Sequence, residues 1–355
     1  MRRKAVRRKG IINVGIIGAG GIAEGAHIPG YLATEGVNIM AVCDINEERA
    51  KYIATKFNIP LVFTDYKDLV AVEEIDAVSV CTPNNFHAGP TIAALESGKH
   101  VLCEKPIAGN AKDGQAMVDA AKRTGKILQI GLHMRFEKES QVLKRFIEEG
   151  ELGDIYFTRA VAMRRRGIPS WGAFVEKKKS GGGPLVDIGV HILDLVVWLM
   201  GSPKPVSATG MTYTKFGNRK DICPGPWGWW NVEKFDVEDF AVGFVKFENG
   251  ATAVLETSWA SNVEGVGPTY LLGDKGGAQI HPLKIFQDKH GTLLDVTPVI
   301  DRGGVSPHTA EVQAFVKAIR EGLPSPVPGE EALEITKIFD AIYEAAKKGK
   351  MVRIR

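Results

Sequence analysis

The sequence predicts an α/β protein with two domains: an N-terminal doubly wound domain on a parallel sheet, then a C-terminal α+β domain on a largely antiparallel sheet. The length of 355 residues exceeds what one hydrophobic core usually organises. As far as residue 130, short apolar runs alternate with helical stretches, which is typical of a parallel sheet covered on both faces. After Gly153, longer strand-like runs follow one another with few helices between them. We therefore expect domains at residues 11–133 and 134–355.

The first domain has five apolar runs that predict strands, at residues 13–17, 38–43, 77–81, 100–103 and 127–130. The segments between them predict helices at 21–32, 47–57, 89–97 and 111–123. A further helix at 137–149 is expected to connect this domain to the next. Together these elements indicate a doubly wound, nucleotide-binding architecture.

The second domain has strand-like segments at residues 155–163, 206–213, 240–247, 252–259 and 269–272. One apolar helix is predicted from Asp187 to Met200. Two late helices, at 307–321 and 330–347, flank a turn-rich segment at 322–329. These late helices are candidates for packing back against the first domain.

Charge and composition exclude several classes of protein. Six of the basic residues lie in the first ten positions, so removing them from the net charge of +3 leaves a body of −3. That gives little electrostatic case for nucleic acid, and the tail itself (residues 1–10) is expected to be disordered. No apolar run reaches the roughly 18 residues of a membrane span. The basic start imitates a secretory signal, but the apolar stretch after it contains the first predicted strand.

The four cysteines are far apart and form no C-x-x-C pair, which argues against a zinc site and against a disulfide framework. A reduced, cytoplasmic protein without a bound metal is therefore expected. The cysteines are Cys43, Cys81, Cys103 and Cys223.

A glycine-rich fingerprint follows the first predicted strand and precedes a helix. Residues 18–23 fit G-x-G-x-x-A, in which Gly18 permits a tight turn and Gly20 lets the backbone approach a pyrophosphate. Gly21 and Ile22 open the helix, whose unpaired N–H groups would face that anion. Asp44 ends the second strand, 24 positions after Gly20, where a carboxylate accepts hydrogen bonds from adenosine ribose hydroxyls.

The same carboxylate selects between cofactors. Asp44 would repel a 2′-phosphate, and the two residues after it, Ile45 and Asn46, supply no arginine to balance one. NAD is therefore favoured over NADP. Arg49 lies farther along the helix and leaves use of both cofactors open.

A carboxylate and an imidazole stand four residues apart at the start of the apolar helix, at Asp187 and His191. In a continuous helix they would share one face and could act on a single reacting group. From this segment alone, an acid/base pair and a purely structural arrangement are equally supported. In the structural alternative, Asp187 caps the first turn and His191 is a core histidine.

Four segments together resemble the glucose–fructose oxidoreductase, inositol dehydrogenase and rhizopine catabolism family. They are the glycine fingerprint, the run from Cys81 to His87 (CTPNNFH), the Glu104-Lys105-Pro106 step and the run from Gly182 to Asp194. The resemblance covers nearly the whole chain after the tail. It implies a Rossmann domain followed by a domain with a large open sheet, which members commonly use for oligomer contacts. It also implies an NAD(P)-dependent oxidoreductase that acts on a sugar or cyclic polyol.

Several site residues are carried over by this resemblance. Lys105 matches the family lysine that reaches the reacting oxygen, His191 matches its acid/base and Asp187 the carboxylate beside it. The motif that runs along the cofactor corresponds to Thr82, Pro83, Asn84 and His87, and Glu104 would hold Lys105 in place.

The chemistry agrees with these roles. Hydride leaves a secondary alcohol carbon only as the hydroxyl proton is taken up, which His191 could do, and a cationic Lys105 would stabilise developing negative charge on the oxygen. The alternative for Lys105 is a surface lysine after an edge of the sheet.

Three further residues are candidate substrate contacts. His133 follows the last strand of the first domain, although a role in domain packing is equally supported. Arg165 lies in a run of three arginines at the end of a predicted strand and should point opposite to Arg164 and Arg166; a solvated basic edge is the alternative. Trp229 belongs to a tryptophan cluster that would suit either a sugar ring or a subunit contact.

Three hypotheses for function follow. The first is a dehydrogenase of a pyranose or inositol that transfers hydride from a ring hydroxyl to NAD. The second is an NAD-dependent glycosidase that uses a transient redox step, and the third is a non-catalytic NAD-binding regulator. A homo-oligomer, dimer or tetramer, is expected through the open sheet.

Overall fold

The computed structural model describes residues 10–264, 267–301 and 303–355. The predicted disordered tail, apart from Gly10, lies outside the described residues. The chain divides into two compact units. The first unit contains the residues up to His133 together with Val305–Leu333, and the second contains Met134–Gly304 and Glu334–Arg355.

The first unit contains a six-stranded sheet in which every neighbouring pair of strands is parallel. Its spatial order is β3-β2-β1-β4-β5-β6, so the order reverses between β1 and β4, where doubly wound sheets bind ligands at their carboxyl edge. The strands are β1 (Ile12–Ile17), β2 (Val37–Cys43), β3 (Leu61–Phe63), β4 (Ala77–Val80), β5 (His100–Glu104) and β6 (Leu128–Gly131).

Helices connect these strands, and their ends carry ordinary capping residues. Asn46, Asp65 and Asn110 each accept a hydrogen bond from a backbone N–H in the first turn of the helix that follows. The helical segments are a π-helical turn (Ala23–His27), α1 (Ile28–Leu32), α2 (Glu47–Phe57), α3 (Tyr66–Val70), α4 (Ala88–Glu96) and α5 (Ala111–Thr124).

The second unit contains a nine-stranded sheet with the order β14-β13-β12-β11-β7-β10-β9-β8-β15. Strands β7 and β10 form a parallel pair, with Met163 opposite Ser258, and the other neighbouring pairs are antiparallel. The strands are β7 (Ile155–Met163), β8 (Pro205–Tyr213), β9 (Phe240–Phe247), β10 (Thr252–Ser258), β11 (Thr269–Gly273), β12 (Gly276–Ile280), β13 (Lys284–Lys289), β14 (Thr292–Val296) and β15 (Val352–Arg353).

The remaining helices differ in how deeply they are buried. Helix α9 is buried along most of its length, whereas α10 contributes Val312, Phe315 and Val316 to the core of the first unit, against Ile28 and Tyr31. These helices are α6 (Lys138–Glu148), α7 (Lys177–Ser180), α8 (Pro184–Asp187), α9 (Gly189–Leu199), α10 (Pro307–Glu321) and α11 (Gly329–Lys348).

The predicted fold class is confirmed: a parallel doubly wound sheet and a second, mostly antiparallel sheet. The continuous helix predicted from Asp187 to Met200 is wrong, because the chain leaves the helix at Ile188 and bends by 48° there. Within the described residues no single helix has the length and apolar character needed to cross a membrane; the one bent pair that passes by length and composition contains this break.

Candidate active site

The glycine loop after β1 leaves room for a bound anion. Gly18 has a φ of +94°, and a Cβ there would lie 2.7 Å from the carbonyl carbon and oxygen of Cys81. Only glycine fits this turn. In contrast, a Cβ at Gly20 or Gly21 would meet no atom within 4 Å, so the loop faces open space at the start of the helix, beside Ile22. This open cradle fits the pyrophosphate of a dinucleotide.

Asp44 organises the loop. Its Oδ2 accepts a hydrogen bond from the backbone N–H of Ala19 at 2.8 Å, and its Oδ1 accepts one from Asn46 at 2.9 Å. Arg49 donates from Nε to the Ala19 carbonyl oxygen at 2.6 Å and pairs with the carboxylate of Glu24. Because Glu24 partners the Arg49 guanidinium, that charge is already balanced, which favours NAD over a cofactor with an additional phosphate.

The loop from Thr82 to His87 is fixed by hydrogen bonds of the buried His87 side chain. His87 is fully buried, and its two ring nitrogens each lie 2.8 Å from a backbone oxygen, those of Pro106 and Thr82. Burial lowers the pKa of His87. Its predicted role as a direct cofactor contact does not agree with this burial, so we assign His87 to joining the two loops. The hydroxyl of Thr82 donates to the Phe86 carbonyl at 3.1 Å, and Pro83 and Asn84 begin a short 3₁₀ turn.

A buried hydrogen-bonded chain fixes Glu104 at the end of β5. His27 donates from Nε2 to Glu104 Oε1 at 2.8 Å, and Nδ1 lies 3.0 Å from the Ser79 hydroxyl, which lies 2.8 Å from the Tyr31 hydroxyl. Glu104 Oε2 accepts from the backbone N–H of Lys105 at 3.2 Å. One carboxylate therefore joins the buried chain to the backbone of the candidate catalytic lysine.

This chain is charged. Burial alone would raise the pKa of the Glu104 carboxyl, but the hydrogen bond and charge of His27 lower it to about 2. Burial likewise disfavours a charged His27, yet Cys81 and Glu104 outweigh it and raise the pKa of His27 well above its ordinary value. At neutral pH the two residues form a buried ion pair.

Asp187 ends α8 and is nearly buried in the second unit. Its Oδ2 accepts a hydrogen bond from the indole N–H of Trp259 at 3.0 Å. Burial lowers the pKa of the Arg164 guanidinium, and the charge of Asp187 acts in the opposite direction, which marks these two groups as neighbours. His191 is the third residue of α9 and is partly exposed. Since the helix breaks at Ile188, the single-helix argument for a shared face of Asp187 and His191 no longer applies.

Buried carboxylates hold the two short helices that carry this pair. Glu238 Oε1 accepts from the backbone N–H groups of Gly183 and Leu185, at 3.0 and 3.2 Å, and so satisfies the start of α8. Asp194 on α9 accepts two hydrogen bonds from the buried Arg135, at 2.8 and 2.6 Å. Neither Glu238 nor Arg135 was expected from the sequence; the available signal was Asp194, a charged residue inside the apolar run of α9.

The three predicted substrate contacts lie in different surroundings. His133 stacks on His308, with ring centroids 4.0 Å apart. Arg165 follows the end of β7, is exposed and approaches Glu264 at 3.9 Å, surroundings that fit the alternative of a solvated basic edge. Trp229 is 48% exposed and tilts against Trp230 at 5.5 Å.

Three residues near Asp187 were not predicted from the sequence: Trp259, which donates to its carboxylate, Arg164, whose charge interacts with it, and Trp227, which packs on Arg164. Trp259 and Arg164 follow the paired ends of β10 and β7, and Trp227 lies 4.8 Å from the Arg164 guanidinium, measured to the ring centroid. Adjacent parallel strands place the residues that follow them at one edge, a signal available only when the pairing is known.

Comparison with known proteins decides the family. The model of the "Oxidoreductase family, NAD-binding Rossmann fold" matches residues 12–132, and that of the "GFO/IDH/MocA C-terminal domain" matches residues 140–279. The chain belongs to the GFO/IDH/MocA family of oxidoreductases. The predicted family is therefore confirmed, and the first unit contains its NAD-binding Rossmann fold.

Relatives in this family include enzymes of sugars and polyols. The D-glucoside 3-dehydrogenase of Escherichia coli is 34% identical over 336 residues, which are 94% of this chain and 95% of the relative. The myo-inositol 2-dehydrogenase of Thermotoga maritima is 25% identical, with 87% of this chain and 88% of the relative covered. The solved structure of a levoglucosan dehydrogenase in complex with NADH has a TM-score of 0.84 at 24% identity, over 97% and 99% of the two chains.

Proposed function

We propose that this protein is an NAD-dependent dehydrogenase that oxidises a secondary ring hydroxyl of a D-glucoside or a closely related pyranoside to the ketone. The observation that carries the proposal is the position of Lys105, directly after β5, at the carboxyl edge of the same parallel sheet as the glycine loop. The substrate class is supported by the 34% identity with a D-glucoside 3-dehydrogenase along almost the entire chain.

The cofactor-holding residues of this proposal all belong to the first unit. Gly18, Gly20 and Gly21 would cradle the pyrophosphate, and Asp44 would accept from the adenosine ribose. Thr82 to Asn84 would line the path toward the nicotinamide. When bound, the nicotinamide supplies the acceptor for the hydride.

The acid/base residues belong to both units and, we propose, act in the same reaction. The imidazole of His191 takes the hydroxyl proton as the C–H bond breaks. The ammonium of Lys105 stabilises negative charge on the oxygen, and Glu104 fixes the backbone at Lys105. Asp187 orients the His191 imidazole, while the indole N–H of Trp259 holds the Asp187 carboxylate in place.

A substrate screen tests the reaction class. Purified enzyme with NAD is offered methyl and phenyl glucosides, free hexoses, inositols, uronates and anhydro sugars, and NADH absorbance is followed. We expect steady NADH formation on glucosides and a ketosugar product by mass spectrometry. Release of free glucose from a glucoside without net NADH would instead establish a glycosidase, and tighter binding of NADP than NAD would contradict the role of Asp44.

Variants test the residue roles. We expect His191→Ala and Lys105→Met each to lower kcat by about 10²- to 10⁴-fold while NAD binding, measured by calorimetry, is retained. Lys122→Met, on the exposed face of α5, is the matched control and should keep full activity. Undiminished turnover in both site variants would remove the proposed acid/base set.

A further inference from the structure

Two exposed tryptophans of the second unit, Trp227 and Trp171, lie next to each other, and Trp227 packs on Arg164. Trp227 is 38% exposed and Trp171 is 53% exposed, and their rings meet edge to face with centroids 5.0 Å apart. Exposed aromatic rings of this size are uncommon on a protein surface and mark binding sites more often than isolated aliphatic residues do. We call these two residues the tryptophan pair.

The pair is tied to the acid/base region through Arg164. The parallel pairing of β7 and β10 places Arg164 beside Trp259, and the Arg164 backbone N–H donates to the Ser258 carbonyl at 2.9 Å. Trp259 donates to Asp187, and the charge of Arg164 interacts with Asp187. The guanidinium carbon of the same Arg164 lies over the ring of Trp227, 4.8 Å from its centroid. Arg164 therefore packs on the aromatic surface and follows the strand paired with the one that leads to Trp259, the hydrogen-bond donor to the candidate catalytic carboxylate.

The arrangement is tightly packed and held in place. A Cβ at Gly167 would lie 2.7 Å from Arg164 Cδ and 3.3 Å from Trp227 Cζ3, so only glycine allows the arginine and the indole to pack there without displacement. The Ser170 hydroxyl donates to the Trp227 carbonyl at 2.6 Å, and Phe174 packs edge to face against Trp171. Ring surface that is rigid before binding loses little conformational entropy when a ligand stacks on it.

We propose that the tryptophan pair is a subsite for the second ring of an extended glycoside, either an aromatic aglycone or a second sugar, whose first ring is oxidised beside Asp187. This inference rests on the proposed function and adds a substrate class to it. A monosaccharide that occupies the Asp187 end would leave the pair uncovered, because the Arg164 side chain connects the two places. A second ring reaches Trp227 across this guanidinium, which can also donate to a glycosidic or ring oxygen.

Ring stacking explains the pair better than contact with another copy of the chain. Trp227 packs on the partly buried Arg164 guanidinium, and this combination of an aromatic face with an oriented polar group is typical of a small-molecule site.

Steady-state kinetics on matched substrates tests the proposal. Glucose and methyl glucoside carry one ring, whereas phenyl glucoside and cellobiose carry two. We expect a KM about five- to tenfold lower for the two-ring substrates, as one aromatic contact of about 1 kcal/mol provides. Trp227→Ala should abolish this advantage by raising the two-ring KM selectively, and Trp227→Phe should keep most of it.

Further variants show which aromatic side chains are responsible for the lower KM of the two-ring substrates. Trp171→Ala should reduce the two-ring advantage, and Trp229→Ala, the tryptophan chosen from the sequence, should change it much less than Trp227→Ala does. Tyr156→Ala removes an aromatic side chain of matched exposure (54%) from β7 and is the control. An equal rise in KM for one-ring and two-ring substrates in Trp227→Ala, or no rise at all, overturns the subsite.

A binding measurement separates this inference from the proposed function. Phenyl glucoside is titrated by calorimetry, with NAD present, into the inactive His191→Ala protein with and without Trp227→Ala. If no glycoside yields NADH but phenyl glucoside binding still depends on Trp227, the proposed reaction fails and the subsite stands. If glucosides are oxidised and binding is independent of Trp227, the subsite fails alone. Dissociation of an oligomer in Trp227→Ala, with unchanged sugar selectivity, assigns the pair to a subunit contact and also overturns it.

Discussion

The two segments that carry the candidate acid/base groups are held by different physical means. The Glu104–Lys105 step follows a central strand of a parallel sheet, and a buried ion pair with His27 fixes it. The Asp187–His191 segment instead follows a triple glycine, crosses a break at Ile188 and is held by the indole N–H of Trp259. In the first arrangement a buried ion pair adjoins Lys105 itself. In the second, the Asp187 carboxylate is fixed by backbone shape and one directional hydrogen bond, and the buried Arg135–Asp194 ion pair lies farther along α9.

The two segments differ in how much unfolding free energy is lost when the interaction that fixes each of them is removed. A buried ion pair is expensive to break, because the remaining charge has no partner and little water. A hydrogen bond from a neutral indole to a carboxylate is worth less, although it defines the carboxylate's orientation just as well. We therefore expect variants of the first segment to affect stability most, and variants of the second to affect turnover with smaller losses of stability.

Loss of His27 should have the largest effect on stability. His27→Ala leaves the Glu104 carboxylate buried without its cation, and we expect the free energy of unfolding to fall by about 3 kcal/mol or more, measured by urea denaturation. The control is Lys51→Ala, which removes an exposed pair with Glu47 at 3.0 Å and should cost less than about 1 kcal/mol. Similar losses of unfolding free energy in the two variants would show that the buried His27–Glu104 pair stabilises the fold no more than an exposed ion pair does.

Acid pH should weaken the same pair. The folded pKa of Glu104 is about 2, below its ordinary value of 4.5, so its contribution is present above pH 4.5 and is lost as the pH falls toward 2. The raised pKa of His27 acts in the other direction: its contribution is complete below pH 6.5 and declines as the pH rises toward the folded pKa.

The stability profile can be measured by urea midpoints across this range of pH. In the double variant His27→Gln/Glu104→Gln, the free energy of unfolding should depend less on pH than in the wild type, both below pH 4.5 and above pH 6.5. A profile that keeps its original slopes in the double variant would assign the pH dependence to other groups.

Removal of the indole donor to Asp187 should have the smallest effect on stability and a clear effect on turnover. Trp259→Phe is expected to cost about 2 kcal/mol of unfolding free energy and to lower kcat, because the Asp187 carboxylate loses the donor that orients it. The matched control is Trp230→Phe, whose buried indole donates to the Gly217 carbonyl at 2.7 Å. That variant should lose about 1 kcal/mol with kcat unchanged; equal kcat values in the two variants would contradict an orienting role for Trp259.

Much of the fold could be predicted because local pattern and tertiary role agree. Helix α2 spans the predicted residues 47–57, as its Asn46 cap and its apolar spacing indicate, and β7, β9 and α10 also have their predicted bounds. Strands β12, β13 and β14 were not predicted, since they mix polar with apolar residues and gain their apolar contacts only from their neighbours in the sheet.

The sequence predicted those site residues that belong to short motifs. It did not predict those that are brought to the site by tertiary packing. The glycine loop, Asp44 and Lys105 follow from short motifs at the ends of strands. His27 could have been suspected as the polar residue in an apolar helical turn, but its partner Glu104 lies 77 positions away. Arg165 was selected from a run of three arginines, yet Arg164 is the one that neighbours Asp187, because strand β7 ends one residue before Arg164.

By itself the sequence determined the class of both domains, the family and the cofactor-binding loop, because these depend on periodicity and on residue types that a turn or a cofactor requires at short spacing. Only the tertiary structure decided which buried groups are paired, where the helix after Asp187 breaks and which tryptophan lies beside an arginine. The physical reason is that these contacts join residues distant along the chain, and their energies depend on burial and geometry that no local pattern contains.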